Sequence, residues 1–285
     1  MTDRTDGTQA LIEALPYIQK YSGKIIVVKY GGGAMLNEDL KKAVMRDIVR
    51  LSAAGIKAVL VHGGGPEINA VMEKFGKKPS FVDGLRYTDS ETAEIAVMAL
   101  AGKVNKGLVS LIHSNKGNAL GLCGIDGAML KTEKIRGAAD LGFVGDIKSV
   151  DPTPILIAME HGFIPVIASV GADEAGQAYN INADTAAAAI AAAVNAEKLI
   201  LMTDVRGVLA DRDDEDTLIG RICIQEIPEL TEKGIVSGGM IPKIDSCVRA
   251  IRGGVKDAAI IDGRIEHSIL LELFSESGVG TLLYA

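Results

Sequence analysis

No tryptophan occurs among the 285 residues, and the aromatic complement is six tyrosines and five phenylalanines. The core must therefore be built from Ala, Val, Ile and Leu, as in wound α/β folds. Three cysteines, Cys123, Cys223 and Cys247, form no CxxC pair and are odd in number. That excludes a disulfide framework and leads us to expect a reducing, cytoplasmic setting. His62, His113, His161 and His267 are scattered, without HExxH or a cysteine pair, so no metal site is expected. The strongest apolar runs are interrupted by Gly, Asn or Lys, and none is expected to span a membrane. The first residues, MTDRTDGTQ, are polar and do not read as a signal peptide. Positive charge is also scarce: 30 Lys and Arg face 37 Asp and Glu, for a net charge of −7. Nucleic acid is thereby excluded as the main partner, and cations that hold an anionic substrate must be gathered locally. The common nucleotide signatures are missing as well. No Gly-Lys pair is followed by Ser or Thr, Leu36 and Ile68 stand where GxGxxG needs its last glycine, and HRD and DFG do not occur.

What the chain does have is two glycine triplets, each leaving an apolar run: IIVVKYGGG (Ile25 to Gly33) and AVLVHGGG (Ala58 to Gly65). Ile25–Val28 and Ala58–Val61 read as buried parallel strands. Helical patterns follow: Leu40, Val44, Ile48 and Leu51, then Ile68, Val71, Met72 and Phe75. A strand, a side-chain-free turn and a helix N-terminus together favour an anion, because N–H groups and the helix dipole converge there. Lys29, two residues before the first triplet, adds a full charge. A turn that serves only chain geometry is the competing explanation for either triplet.

Further along, 8–21 reads as a helix with Leu11, Leu15 and Ile18 on one stripe and Pro16 bending it. Ser90–Leu111 reads as a helix carrying Ile95, Met98, Ala99 and Leu108. Residues 119–150 hold short runs (120–123, 129–132, 142–147) that read as hairpins, a candidate flap. Pro152–Met159, Asn182–Val194, Pro242–Arg252 and Ile269–Phe274 read as helices; Ile164–Val170, Lys198–Met202 and Ala258–Ile261 read as strands. The alternation predicts a three-layer αβα sandwich with a mostly parallel central sheet and ligands beyond the strands' carboxyl ends. At 285 residues this is one large domain or two lobes sharing the sheet.

IIVVKYGGG, VLVHGGGPEI, DGLRYTD (83–89), YNINADTAA (179–187), LMTDVRGVL (201–209) and SGGMIPKI (237–244) occur in that order. Together they resemble the amino acid kinase family, from about Lys24 to the end of the chain, and within it the branch acting on N-acetyl-L-glutamate. The resemblance implies an amino acid kinase fold: an N-terminal oligomerisation or regulatory helix (1–22), an acyl-substrate lobe (23–196) and an ATP lobe (197–285). It implies transfer of the ATP γ-phosphoryl to the side-chain carboxylate of N-acetylglutamate, in arginine biosynthesis. ATP is then a co-substrate with Mg²⁺, and no tightly bound cofactor is expected. A carboxylate nucleophile is already ionised at neutral pH, so no general base is required.

By the same resemblance, Lys29 and Lys243 stabilise charge on the transferring and leaving oxygens, and Asp184 holds both lysines. Gly64, Gly65, Arg86, Asn180 and Asn182 hold the acyl substrate, Arg86 by a bidentate grip on its α-carboxylate. Gly32 and Gly33 approach the γ-phosphoryl, and Thr203, Asp204, Gly207, Gly238 and Gly239 serve the nucleotide. Taken singly, a lysine is more ordinarily a solvated charge, although one that ends IIVV is poorly placed for that. Asp184 also suits a helix cap. Arginine-inhibited hexamers of the family carry an N-terminal helix and a C-terminal His-x4-Glu pattern. Tyr17, Lys198, His267, Glu272, Gly278 and Gly280 match such an arginine site, which implies L-arginine inhibition of a trimer of dimers. The competing view is a solvated Glu272 and a first helix that packs locally. Some relatives bind a nitrogen-signalling PII protein, and no motif here decides that. The open alternatives are a sister kinase acting on carbamate, glutamate or aspartate, and a non-catalytic nucleotide- or arginine-binding regulator.

Overall fold

The structure, a computed structural model, describes residues 2–82, 84–137 and 140–285, with side chains from Ile12 onward. Asp83 of the DGLRYTD motif and the Leu11 side chain lie outside the described residues. Helix α1 (Thr2–Tyr21) leads into β1 (Ile25–Tyr30), α2 (Glu38–Ala53), β2 (Lys57–His62) and α3 (Gly65–Lys74). A short ribbon, β3 (Phe81–Val82) and β4 (Leu85–Arg86), precedes one long helix. That helix comprises α4 (Ser90–Val97), a π-helical stretch (Met98–Val104) and α5 (Asn105–Ser114). There follow β5 (Ala119–Cys123), β6 (Leu130–Lys134), β7 (Val144–Val150), α6 (Thr153–Glu160), β8 (Ile164–Ala168), β9 (Val170–Ala172), β10 (Ala178–Ile181) and α7 (Ala183–Ala193). The chain ends with β11 (Lys198–Thr203), β12 (Arg221–Cys223), α8 (Ile227–Glu232), α9 (Ile241–Arg252), β13 (Asp257–Asp262), α10 (Ser268–Phe274) and β14 (Thr281–Tyr284).

The eight-stranded main sheet has the order β12-β14-β13-β11-β1-β2-β8-β5. From β13 to β5 all strands are parallel, while β14 runs antiparallel to β13 and carries β12 with it. Alternation along β1 assigns its side chains to two layers. Val27 joins Ala187, Ile190, Cys247 and Ile251 of α7 and α9. Ile26 and Val28 join Val44, Ile48, Leu108, Ile112 and Leu273 of α2, α5 and α10 on the other face. This is the expected three-layer sandwich, and each fully buried Val, Ile or Leu contributes roughly 1.5–3 kcal/mol. Two asparagines start helices on opposite faces. Asn37 Oδ1 accepts from Asp39 and Leu40 N–H (2.9 and 3.1 Å), and Asn182 Oδ1 from Asp184 and Thr185 N–H (2.9 and 3.1 Å).

Several boundaries differ from the sequence reading. The first triplet opens a 3₁₀ turn (Gly32–Met35) rather than a helix, and α2 starts only at Glu38. The first helix begins at Thr2, six residues before the start at residue 8 that its sequence pattern suggested. Leu120–Cys123 is not part of a hairpin: β5 lies at the edge of the main sheet, parallel to β8. The hairpin is β6–β7, which closes a small barrel with β9 and β10. Ile164–Val170 is divided between β8 and β9, so the chain leaves the main sheet at Ser169. The helix from Ser90 to Ser114 has 25 residues and a mean hydropathy of 1.5, long and apolar enough to cross a membrane, against the expectation of no such stretch. Gly102, Lys103, Asn105 and Lys106 interrupt its apolar run without ending the helix, because Ile95, Ala99, Leu100 and Leu108 are drawn onto the core. Met98, expected among them, is 48 % exposed, because it points away from that packed face.

Candidate active site

β1 and β11 are neighbours, but β1 continues towards β2 whereas β11 continues towards β13. Ligands of parallel sheets gather where connections reverse in this way, beyond the carboxyl ends of the strands. Lys29 is the fifth residue of β1, Thr203 ends β11, and Asp204 reaches back across the boundary to the N–H of Gly33. At Gly32 φ is +71°, and a Cβ there would lie 2.5 Å from Asp204 Oδ1, so only glycine fits.

A cavity of about 300 Å³ opens at this point. Lys29, Gly32, Gly64, Gly65, Arg86, Asn180, Asn182, Asp184 and Lys243 all line it. The charged residues on its wall are three cations and the single carboxylate of Asp184, so positive charge is gathered locally in an acidic chain. Asp184 sits in the first turn of α7, with Lys29 Nζ 2.9 Å from Oδ1 and Lys243 Nζ 2.8 Å from Oδ2. Burial pushes the Asp184 carboxyl up, but Lys29 and Lys243 outweigh it and hold the group below the usual carboxylate value. The helix dipole acts in the same direction.

Arg86 is buried and is paired with no carboxylate among the described residues. Its Nη2 donates to the Gly65 carbonyl (3.1 Å), Nη1 faces Met72 Sδ (3.4 Å), and its Cζ lies 4.9 Å from the centre of the Phe81 ring. Burial alone pulls its pKa down. A buried cation held by dipoles and a ring is left with capacity for an anion. Asn182 also lines the cavity, but its Oδ1 is committed to capping α7, which leaves its amide N–H₂ available. Phe81 and Val144 belong to this wall too, and the sequence reading missed both.

A second cavity of about 250 Å³ adjoins the first through Lys243, which lines both. Thr203, Gly207 and Gly239 stand on its wall, with Val205, Val208, Leu209, Ile235 and Met240 as apolar surface and Arg212 as a further cation. Gly238 begins the 3₁₀ turn that places Gly239 there. Arg212 lies within DRDDED, where a cation among acids reads as a solvated charge; it remains exposed, but the folded loop sets it at the rim of this cavity. Among the described residues no three His, Cys, Asp or Glu gather into a metal cage. Asp204 lines neither cavity; its carboxylate stands beside the Gly32–Gly33 turn, where it could add one ligand to a metal held mainly through phosphate oxygens.

The sequence profile of the amino acid kinase family matches residues 24–262. The chain belongs to the amino acid kinase family. An acetylglutamate kinase of Clostridium kluyveri is 55 % identical to this family member over 274 residues, 96 % of this chain and 97 % of that one. Among solved structures, the N-acetylglutamate synthase of Neisseria gonorrhoeae complexed with coenzyme A and N-acetyl-glutamate aligns with TM-score 0.85 and 27 % identity. The alignment covers 98 % of this chain, which spans 63 % of that one. The same synthase complexed with coenzyme A and L-arginine aligns with TM-score 0.80 and 26 % identity, over 97 % of this kinase-family chain and 65 % of that one.

The residues matched to an arginine site lie at the opposite, amino-terminal end of β11. Lys198 Nζ is 2.9 Å from Glu272 Oε1 and 3.3 Å from Asp257, and Glu272 Oε2 accepts from Val279 N–H (3.0 Å), beside Gly278. Burial would lower the Lys198 pKa, but Glu272 and Asp257 outweigh it and raise it. His267 is directed elsewhere: its Nδ1 is 2.8 Å from buried Asp47 on α2. Tyr17 lies on α1, which packs against α10, and Gly280 precedes β14.

His62, at the end of β2, is fully buried, and burial brings its pKa down to about 4, with Lys106 adding to the fall and the Gly63 carbonyl opposing it. Its folded value is depressed, so its contribution to stability is complete above the ordinary value near 6.5 and is lost as pH falls through about 4. We expect His62→Asn to flatten the loss of stability between pH 6.5 and 4 by up to about 3 kcal/mol, read by denaturant unfolding at stepped pH.

Proposed function

We propose that the protein is an acetylglutamate kinase, a cytoplasmic enzyme that transfers the γ-phosphoryl of ATP to the side-chain carboxylate of N-acetyl-L-glutamate, in arginine biosynthesis. The observation that carries this reading is Lys243: it lines both cavities and shares Asp184 with Lys29. N-acetylglutamate occupies the first cavity, its α-carboxylate on Arg86 and its acetamido end near Asn180. ATP occupies the second, with its phosphates directed towards Lys243 and the Gly32–Gly33 turn. The acyl substrate's ionised carboxylate attacks in line, and the two lysines neutralise the transferring and leaving oxygens while Asp184 keeps them apart and in place. The N–H groups at the start of α3 have no acceptor within their helix and meet the acyl oxygens. The nucleotide brings Mg²⁺, which when bound neutralises its phosphate oxygens, with Asp204 as the nearby carboxylate. Residues 23–196 and 197–285 act as the two lobes.

L-arginine inhibits the enzyme at the Lys198–Glu272 cluster, in a hexamer tied together by α1. Support comes from the buried Glu272 carboxylate beside α1, from Ile12 and Leu15 exposed on α1 at 54 % and 43 %, and from the arginine-bound synthase of the same fold. Glu272 already pairs with Lys198, so replacing it would leave a buried cation and unsettle the fold; removing α1 is the cleaner test. ADP release should depend on N-acetyl-L-glutamate and fall when arginine is added. Deleting residues 1–20 should abolish both the arginine effect and the hexamer in light scattering. A truncated protein that stays hexameric, or an intact one indifferent to arginine, contradicts the regulatory part alone.

A further inference from the structure

A buried polar chain runs behind the second glycine triplet and leaves no side chain in the cavity. His62, 0 % exposed, lies immediately before Gly63, and its Nδ1 is 2.8 Å from the Gly63 carbonyl. Its Nε2 lies 3.1 Å from Asn105 Nδ2. The orientation of that amide is fixed, because Nδ2 also faces the carbonyls of Val166 (2.8 Å) and Leu122 (3.1 Å), and Oδ1 accepts from Lys106 (3.0 Å). Nδ2 shares two hydrogens among three acceptor sites, so the tautomer follows first from the other ring nitrogen. A carbonyl only accepts, so the neutral ring's single proton sits on Nδ1 and points at the Gly63 oxygen, and the bare Nε2 faces an amide nitrogen that can only donate.

That oxygen belongs to the same peptide unit as the Gly64 N–H. In a trans peptide the C=O and N–H point in opposite directions, so a donor that holds the carbonyl also aims the N–H. A bond to the carbonyl further polarises the N–H. The same region supports Gly64 from below. A Cβ there would lie 2.7 Å from Leu100 and 3.2 Å from Val104, both in the π-helical stretch that Asn105 follows directly. Stretches of that kind are rare and cluster at functional sites. Here one such stretch delivers the floor under Gly64 and leads directly into the amide that faces the bare imidazole nitrogen.

We infer that His62, oriented by Asn105, is a positioning residue for phosphoryl transfer: it locks the Gly63–Gly64 peptide so that the Gly64 N–H faces the oxygens of the reacting acyl group. The inference rests on the kinase reading of the site. It does not make His62 an acid or a base, since the imidazole stays neutral and behind the cavity wall.

The test compares two replacements that place a donor differently. In His62→Asn the side-chain amide falls near the former Nδ1 and can still donate to Gly63. In His62→Gln it falls near the former Nε2 and cannot. We expect His62→Gln to lose kcat by about 10- to 100-fold, a fraction of the 10²–10³ typical for removing an oxyanion donor outright. KM for both substrates should stay within about threefold, and His62→Asn should keep kcat within about fivefold of the parent. Packing alone would rank the variants the other way, since Gln is nearer to His in size. Equal losses, a larger loss in His62→Asn, or an effect confined to KM overturns the inference. ¹⁵N NMR of the histidine-labelled parent decides independently of any variant's folding, with His62 distinguished from the three other histidines by their single replacement. Protonated Nδ1 with bare Nε2 supports the inference, and the opposite tautomer overturns it. A parent without acetylglutamate-dependent turnover would overturn the kinase reading instead, while the tautomer still reports on the hydrogen bond.

Discussion

Lys243→Ala lowers kcat by about 10²- to 10³-fold, with KM for either substrate changing far less. The expectation follows from where the charge is used. Lys243 lines both cavities, so it meets the phosphoryl group in transit, when negative charge is spread over oxygens shared between donor and acceptor. Removing one group of that kind typically costs about 2.7–4 kcal/mol of transition-state stabilisation. Lys29→Ala should behave alike, and the double variant should lose much less than the product of the two, because both lysines act through Asp184. Asp184→Asn leaves two ammonium groups without their shared carboxylate. It should therefore lose activity to a similar degree and also unfold at lower temperature, since breaking a buried pair costs about 3–5 kcal/mol. Steady-state kinetics with melting curves for the four variants check this. A loss below tenfold in Lys243→Ala, or one confined to KM, contradicts the assignment.

Arg86→Ala produces the opposite combination: a less active protein that is no less stable. Arg86 is buried, and it is held by a carbonyl, a thioether and the Phe81 ring rather than by a carboxylate. Burying a cation in this way costs stability that bound substrate offsets. Its removal should leave the melting temperature of the empty protein unchanged or higher. It should also reduce kcat/KM for N-acetyl-L-glutamate by about 10²-fold, mostly through KM, because one desolvated charge contact with the α-carboxylate is lost. Arg86→Lys should recover only part of this, since an ammonium cannot reproduce the planar fork. Acetylglutamate should stabilise the parent against heating and fail to stabilise Arg86→Ala. Equal stabilisation of both would place the α-carboxylate elsewhere.

The parts of this molecule that are legible in sequence are those whose cause is local. IIVVKYGGG and VLVHGGG announce strand and turn within nine residues, and NINADTAA announces a capped helix by its asparagine and alanines. Lys29, Arg86, Asn180, Asp184 and Lys243 could be singled out only through such motifs, and the fold then brings all five around one cavity. What escapes reading depends on distant partners. Gly33 meets Asp204 across 171 positions. The π-helical stretch sets Leu100 and Val104 under Gly64, an arrangement that no periodicity within 90–114 expresses. The edge placement of β5 is decided by β8, about forty residues later, and the position of Arg212 at the rim of the second cavity by a loop whose composition is acidic. His267 shows the limit of a spacing match: it stands five residues before Glu272, yet its ring is committed to Asp47 on another helix.

The central claim is that the two cavities joined at Lys243 carry a phosphoryl group onto a carboxylate. Hydroxylamine converts an acyl phosphate into a hydroxamate that can be quantified by colour. The protein should be incubated with ATP, Mg²⁺ and hydroxylamine, with N-acetyl-L-glutamate in one series and L-glutamate in another. The account predicts hydroxamate from the acetylated substrate alone, in step with ADP. Hydroxamate from glutamate at an equal rate, or none from either in a folded protein that binds ATP, would contradict it.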